Sequence, residues 1–186
     1  MKRTLILLIL TISFLFGQGK FEVGINTGIA TDWGSYHKIG LTGDILIGYK
    51  FSEKFSTSIE FGKIIYGSSY DNVYNSSTIK LAFMGTYKFN TGKLKPFITT
   101  GLELQFHDAI TGFQEYTIPP YPGTHLKVDV ETGRVISLNI GIGLSYAVSN
   151  KTDISIGAVE AGILVKEMQK GLGGYTKIFI GMKHSL

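Results

Sequence analysis

The 186-residue sequence has no cysteine and only 4 prolines. Without cysteine the chain forms no disulfide and no thiolate metal site, and it carries no cysteine-linked lipid of a lipoprotein. Charge is also scarce. Without Lys2 and Arg3, 16 basic residues face 14 acidic ones, and the remaining lysines are scattered. A nucleic-acid partner is therefore not predicted.

The single long apolar run lies at the N-terminus. Lys2 and Arg3 precede the apolar residues 5–16, and Gly17 and Gly19 follow at alternate positions. This layout predicts a signal peptide over residues 1–19, cleaved after Gly17 or Gly19, before one domain over residues 20–186. A retained anchor is the alternative, but the run is shorter than the roughly 20 residues that a spanning helix needs. No later stretch resembles a membrane helix, so a membrane form of this chain must cross with strands.

The stretch from Val135 to Ala147 alternates strictly between two kinds of side chain. The large apolar positions are Ile136, Leu138, Ile140, Ile142, Leu144 and Tyr146, and the residues between them are small or lightly polar. A period of two predicts a β-strand with two different faces. In a soluble sandwich the polar face usually carries Lys, Glu and Thr. Small residues suit a crowded interior instead, so the pattern is typical of a membrane barrel strand with its aliphatic face in lipid.

The same alternation recurs along the whole domain. It predicts strands over residues 20–30, 39–51, 55–66, 75–89, 96–107, 135–147, 152–165 and 174–186. Three connections are short, and four, which follow Ala30, Tyr66, His107 and Val165, are longer. We therefore predict an all-β fold, an eight-stranded antiparallel up-and-down transmembrane β-barrel with both termini and the short turns in the periplasm. In the seventh strand the apolar positions shift near Gly157, and we expect a bulge there that keeps Glu160 inside.

Aromatic residues gather at the short-turn ends of the predicted strands, on the apolar face. This predicted girdle comprises Phe21, Tyr49, Phe51, Phe55, Tyr87, Phe89 and Tyr146. Aromatic side chains favour a membrane–water interface, so the girdle marks one edge of the bilayer. Two residues depart from the pattern: Phe97 points inward by parity, and Lys63 faces lipid near the outer rim, where its amine can snorkel to the head groups.

Taken together, these eight strands resemble the small outer-membrane β-barrel family of the OmpA transmembrane-domain and OmpX type, over nearly all of residues 20–186. The resemblance implies a protein of the outer membrane of a Gram-negative-type bacterium, in contact with outer-membrane lipids and lipopolysaccharide. We expect a monomer.

On the predicted inner faces, acidic and basic residues are nearly equal in number. The predicted lumen ion-pair network comprises Glu22, Asp44, Lys50, Glu60, Lys80, Lys88, Glu103, Lys177 and Lys183, with Asp153 and Glu160 as further acids. One interpretation is a proton or ion path, or paired carboxylates for acid–base chemistry. An eight-stranded barrel is only wide enough for its own side chains and unpaired buried charges are costly, which favours an internal network. Lys177 is predicted to neutralise part of the acidic cluster.

The four histidines, His37, His107, His125 and His184, lack metal-ligand spacing, and we expect them to be solvated or at the rim. A lipid-A-modifying enzyme needs a histidine with a serine or glutamate at the lipid-facing rim, and no local motif provides one. His184 and Ser185 point to opposite faces of their strand. Neither a catalytic site nor a metal or cofactor site is predicted.

The long segment 108–134 is the candidate binding surface. Leu126, Val128 and Val130 alternate as in a hairpin that extends above the membrane. Exposed aromatic residues suit contact with a protein or glycan, and the candidate binding residues are Phe113, Tyr116, Tyr121 and His125. A variable loop without a dedicated ligand is an equal alternative.

The sequence therefore leaves three alternative functions. The favoured one is a non-enzymatic outer-membrane barrel with a side-chain-filled lumen that contributes to envelope structure or to surface binding through its long loops. The alternative is a narrow channel for ions or small solutes. A soluble lipocalin-like carrier is the weakest, since it needs apolar residues inside and a Gly-x-Trp sequence that Trp33 does not complete.

Overall fold

The computed structural model describes residues 20–33, 39–66, 77–90, 92–117, 124–166 and 174–186, without the side chains of residues 108–132 and 166. The predicted signal peptide, residues 1–19, lies outside the described residues.

Eight strands form a single closed sheet. They are β1 (Lys20–Asp32), β2 (Ile39–Lys50), β3 (Phe55–Tyr66), β4 (Ser77–Lys88), β5 (Leu94–Thr117), β6 (Thr124–Ala147), β7 (Thr152–Lys166) and β8 (Tyr175–Ser185). Each strand pairs antiparallel with the next, and β8 pairs with β1. Within the described residues, no helix has the length and apolarity to cross a membrane. The predicted eight-stranded antiparallel up-and-down barrel is confirmed.

The strands are staggered round the barrel. A path of paired residues from Glu22 through β2 to β8 returns to β1 at Asp32, ten residues further along the strand. For eight strands this stagger corresponds to a tilt of roughly 40°. The resulting interior is only wide enough for the barrel's own side chains.

β5 and β6 continue together beyond the barrel. Pairing of β4 with β5 begins at Thr78 and His107, and pairing of β6 with β7 begins at Val135 and Lys166. Beyond these positions, residues 108–117 and 124–134 pair only with each other. We call this two-stranded hairpin the β5–β6 ribbon. At about 3.3 Å per residue, ten residues give it a length of roughly 30 Å.

The seventh strand corrects one prediction. Its alternation does not shift near Gly157: Val159 and Ala161 face the lumen at 5% and 0% exposure, and Glu160 is exposed on the outer face. The bulge lies at Leu164, because Ile136 pairs with Val165 while Ser137 pairs with Ile163. The prediction failed because it assigned apolar side chains to lipid, whereas Val159 fills the lumen against two inward phenylalanines.

The start of β5 is a second correction. The strand begins at Leu94 rather than Pro96, so Lys95 belongs to the barrel wall and is buried in the lumen. Pro96 lies within two residues of the strand start, where its missing amide hydrogen is tolerated, and its carbonyl accepts the Phe89 amide.

Candidate functional site

The outer face of the barrel is apolar around its whole circumference. Leu41, Ile142 and Ile178, on three different strands, are 72%, 65% and 55% exposed. Soluble monomers rarely expose apolar patches larger than a few hundred Å², so a belt of this kind requires a hydrocarbon environment. Asp44 and Lys177 are meanwhile buried inside. The chain is a transmembrane barrel, and the lipocalin-like interpretation, which needs the opposite distribution, is wrong.

At the short-turn end the predicted girdle residues contact one another on this outer face. Ring centroids are 5.3 Å apart for Phe21 and Tyr49, 4.9 Å for Tyr49 and Phe51, and 5.6 Å for Phe51 and Phe55. Tyr87 and Phe89 form a separate edge-to-face pair at 5.4 Å, and Tyr146 is exposed. Tyr49 is only 7% exposed because two phenylalanine rings flank it.

The upper lumen contains three buried charges in direct contact, which we call the Asp44 cluster. Asp44 on β2 lies 2.8 Å from Lys80 on β4 and 2.8 Å from Lys177 on β8. The Lys80 ammonium lies 5.8 Å from the centre of the Tyr175 ring, and the Lys177 ammonium 5.3 Å from that of Phe179. One carboxylate thus links three strands across the lumen, with one positive charge in excess.

Glu103 accepts hydrogen bonds from neutral groups instead of pairing with a lysine. The Tyr175 hydroxyl donates to both carboxylate oxygens at 2.8 and 2.9 Å, Gln105 donates at 2.8 Å, and Asn139 donates at 3.1 Å. Such charge-assisted bonds are stronger than bonds between neutral groups, so they hold this buried carboxylate in place.

His107 lies at the long-loop end of the same chain of contacts, and its burial corrects the expectation of a solvated or rim histidine. It is buried, with Nδ1 2.7 Å from the Thr78 hydroxyl and Nε2 2.7 Å from Gln105 Oε1. The alternation of β5 turns this side chain inward, and neighbouring strands cover it. A hydroxyl beside a histidine resembles a nucleophile with its base. Thr78 is fully buried, however, so no substrate reaches it.

The remaining histidines form no site within the described residues. His184 is exposed, with Nδ1 3.0 Å from the Thr152 hydroxyl, while the adjacent Ser185 points inward toward Glu22. The side chains of His37 and His125 lie outside the described part of the chain. No group of three or more His, Asp or Glu suited to a metal ion occurs among the described residues.

A second ionic contact closes the lower lumen. Asp153 on β7 lies 2.6 Å from Lys88 and 3.2 Å from Lys95. Lys95 was not among the predicted lumen residues, because the predicted fifth strand began one residue later, at Pro96. The inward parity of Phe97, two residues later, was the signal that could have identified it.

The other predicted network residues are separate from both clusters. Lys50 pairs at 2.9 Å with Glu53 in the β2–β3 turn, and this hydrogen bond lowers the pKa of Glu53. Glu22 accepts a 3.4 Å bond from Ser185, and Glu60 a 3.3 Å bond from Ser58. Lys183 lines the open mouth at the short-turn end. Of the nine predicted residues, three form the Asp44 cluster and Lys88 belongs to the second cluster with Asp153 and Lys95. The other five lie outside both clusters, so the nine do not form one connected network.

Apolar side chains block the lumen between and above the clusters. Phe97, Val159 and Phe179 pack together in the middle. Near the long-loop end, Ala30, Ile64, Tyr66, Ala161 and Tyr175 form a second apolar cluster. A cavity of about 40 Å³ remains in the mid-lumen, which accommodates a few water molecules at most. The short-turn mouth is wider, about 540 Å³, and lysine is the commonest residue among those that line it.

No protein-family model matches the chain, and no curated protein matches its sequence. Its fold matches solved structures. Neisserial surface protein A is 17% identical with a TM-score of 0.67, over 89% of this chain and 97% of that one. The outer membrane enzyme PagL is 14% identical with a TM-score of 0.51, over 89% and 99%. Ail, the attachment invasion locus protein of Yersinia pestis, in complex with the heparin analogue sucrose octasulfate, is 10% identical with a TM-score of 0.50, over 90% and 97%.

Identities this low establish the fold and leave the activity open. The girdle, the filled lumen and the aliphatic outer face provide the same conclusion from the residues themselves. The chain has the fold of the small outer-membrane β-barrels of the OmpA transmembrane-domain and OmpX type.

Proposed function

We propose that this chain is a non-enzymatic outer-membrane protein whose closed barrel is a rigid support for the β5–β6 ribbon, and that the ribbon binds a protein or glycan outside the cell. The observation that carries the proposal is the ribbon itself. It continues for nine residue pairs past the last β4–β5 pair. Ordering so long a projecting segment costs conformational entropy, and long segments of this kind in a compact domain usually have a function.

The direction of the ribbon supports an extracellular surface. It leaves the end of the barrel opposite the aromatic girdle and the short turns, which in outer-membrane barrels face the periplasm. At the same end, the outer face would meet lipopolysaccharide and outer-membrane lipids.

The ribbon places candidate contact residues at paired positions. Phe113 pairs with Val128 and Tyr116 with His125, and Tyr121 lies outside the described residues. Tyr and Phe are enriched where proteins bind partners. Ail, which has a similar fold, has been solved with a heparin analogue, so an anionic glycan is a reasonable first probe.

Two alternatives fit the described residues less well. PagL has a similar fold and is an enzyme, so the fold does not exclude catalysis. In this chain His107 is sealed inside and Ser185 faces away from His184, which favours a non-enzymatic role. A channel needs an open path, and the two ionic contacts and the Phe97–Val159–Phe179 cluster obstruct one. Absence of conductance in planar bilayers is the expected result.

The test is removal of the ribbon with the barrel left intact. Ala109 pairs with Glu131, so replacing residues 110–130 by Asn-Gly closes the strands with a two-residue turn. Cells that display the shortened protein should bind immobilised heparin and cultured epithelial cells no better than cells without it. A full-length variant with Phe113, Tyr116 and Tyr121 changed to serine keeps the ribbon and removes only these aromatic side chains, so it separates their role from that of the ribbon. Unchanged binding by the shortened protein, with heat-modifiable gel migration retained, would refute the proposal.

A further inference from the structure

Two charged residues lie on the lipid-facing side of the barrel, within the apolar band. Lys63 on β3 and Glu160 on β7 are both exposed on the outer face. Each is eight residues above the first residue of its strand, and Phe55 of the girdle is the first residue of β3. With a rise of roughly 2.5 Å per tilted residue, both lie about 20 Å above the girdle, inside an apolar band of about 25 Å.

Neither charge forms an ion pair with another described residue of its own barrel. Lys63 has a long aliphatic stem, which is long enough to extend toward the outer head groups. Glu160 has only two methylene groups, so its carboxylate stays near the depth of its backbone. Ionisable groups at such depth are costly and usually have a partner.

The two charges lie at the same depth on opposite sides of the barrel. β3 and β7 are four strands apart in a ring of eight. A path of paired residues can be followed from β3 over β2, β1 and β8 to β7. It runs from Lys63 through Gly43, Thr27 and Ile180 to Ile156, which lies four residues below Glu160. The stagger of ten residues per circuit lowers such a path by five residues over half a circuit. Lys63 and Glu160 therefore differ in depth by about one residue, roughly 3 Å.

The neighbours of the two charges have complementary sizes. On the outer face, large exposed residues flank Lys63: Phe61 below and Ile65 above. Small residues flank Glu160: Ala158 below and Gly162 above. A side chain at Gly43, which pairs with Lys63, would meet nothing within 4 Å, so space remains beside the lysine. Small residues opposite large ones permit close contact of membrane proteins.

We infer that copies of this chain associate side by side in the membrane, with β3 of one barrel against β7 of the next and Lys63 paired with Glu160 across the contact. Lys63 and Glu160 lie at nearly the same depth, so two barrels inserted in the same direction bring these opposite charges together where β3 of one crosses β7 of the next. The contact uses two different faces, so it repeats and forms rows instead of closed dimers. The inference depends on membrane insertion and not on the proposed surface binding.

This inference departs from the expectation of a monomer, and the outward position of Glu160 is the structural reason for it. With Glu160 inside, the outer face would carry one isolated charge, which snorkelling alone satisfies. With Glu160 outside, the surface carries two opposite charges at matched depth.

Disulfide cross-linking tests the contact directly, because the chain has no cysteine of its own. The variant K63C/E160C, inserted in vesicles or outer membranes and oxidised, should give a ladder of dimers, trimers and longer species. The two positions face opposite directions, so no bond forms within one barrel. The matched control is I29C/L102C, two exposed positions on β1 and β5, also four strands apart. An equally strong ladder from the control would show random collision and overturn the inference.

Charge reversal provides an independent readout that needs no oxidation. Fluorescence energy transfer between labelled barrels in vesicles measures their association. K63E or E160K should each lower the association constant by at least about tenfold, since like charges then meet in a medium of low dielectric. The double variant K63E/E160K should restore it. If only K63E has an effect, or the double variant is not restored, a lipid phosphate rather than a second barrel is the partner of Lys63. Heat-modifiable migration verifies that each variant is folded.

Discussion

The Asp44 cluster allows a prediction in which removing the single acid harms the protein far more than removing either base. Asp44 contacts both Lys80 and Lys177 at 2.8 Å, and all three side chains are buried. At an effective dielectric constant of about 20, each contact of this length is worth about 6 kcal/mol of attraction before desolvation is counted. Asp44→Asn removes both attractions and leaves two ammonium groups facing each other.

Breaking a buried pair by removing one partner typically costs about 3–5 kcal/mol, and we expect Asp44→Asn to lower the free energy of unfolding by at least that amount. Lys177→Met removes one attraction together with the repulsion between the lysines, and a neutral Asp44–Lys80 pair remains. Its cost should be below about 2 kcal/mol. Replacing all three residues by apolar ones (D44L/K80M/K177M) removes every charge, so the triple variant should be more stable than Asp44→Asn alone.

Urea unfolding in lipid vesicles measures these differences. Trp33 is the single tryptophan, and its indole donates a 2.8 Å hydrogen bond to Thr176 across the β1–β8 seam, so its fluorescence reports closure of the barrel. Gel migration without heating provides a second probe. Equal losses for Asp44→Asn and Lys177→Met, or a triple variant weaker than Asp44→Asn, would refute the electrostatic reasoning.

Three further predictions concern packing and the β2–β3 turn. Gly62→Ala places a methyl group against the Asp44 carboxylate and the Gly43 carbonyl, and should cost about 1–3 kcal/mol of unfolding free energy in the same urea assay. The control Gly43→Ala places its methyl group in open space and should change the unfolding free energy by no more than about 0.5 kcal/mol. Similar values for both variants would contradict the close packing at Asp44. Phe179→Ala removes a ring that packs on Phe97 and Val159 and should cost about 3–5 kcal/mol, and a loss under 1 kcal/mol would show that the mid-lumen is loosely packed. Glu53→Gln should change stability by less than about 0.5 kcal/mol at pH 7, because the pair with Lys50 is largely exposed. The pKa of Glu53 is lowered from 4.5, so its small contribution to stability is present above that pH and is lost as the pH falls through the folded-state pKa. A stability difference between Glu53→Gln and the original chain that grows below pH 4 would contradict this pH dependence.

Alternation along a strand made much of this molecule predictable. The outward direction of Ile142 and the inward direction of Asp44 and Phe97 follow from position alone, because successive side chains of a strand point to opposite faces. A barrel has only two faces, lipid and lumen, so parity assigns most residues once the strand is known.

Chemical type was a poorer guide than parity. Val159 and Glu160 were assigned to lipid and lumen by their polarity, and both lie on the other face. The alternation of β7 continues through them because the lumen needs volume beside Phe97 and Phe179. Likewise His107 is polar and lies near the end of the barrel, yet it is buried because its neighbours cover it.

The sequence by itself determined the number of strands, their alternation and the side of most residues, since these depend on a local period of two. Only the tertiary structure decided which charges meet. Asp44, Lys80 and Lys177 come from β2, β4 and β8, and the stagger of ten residues per circuit brings both lysine side chains within reach of Asp44. The same stagger sets Lys63 level with Glu160. Stagger depends on how all eight strands pair when the barrel closes, and no single strand contains that information.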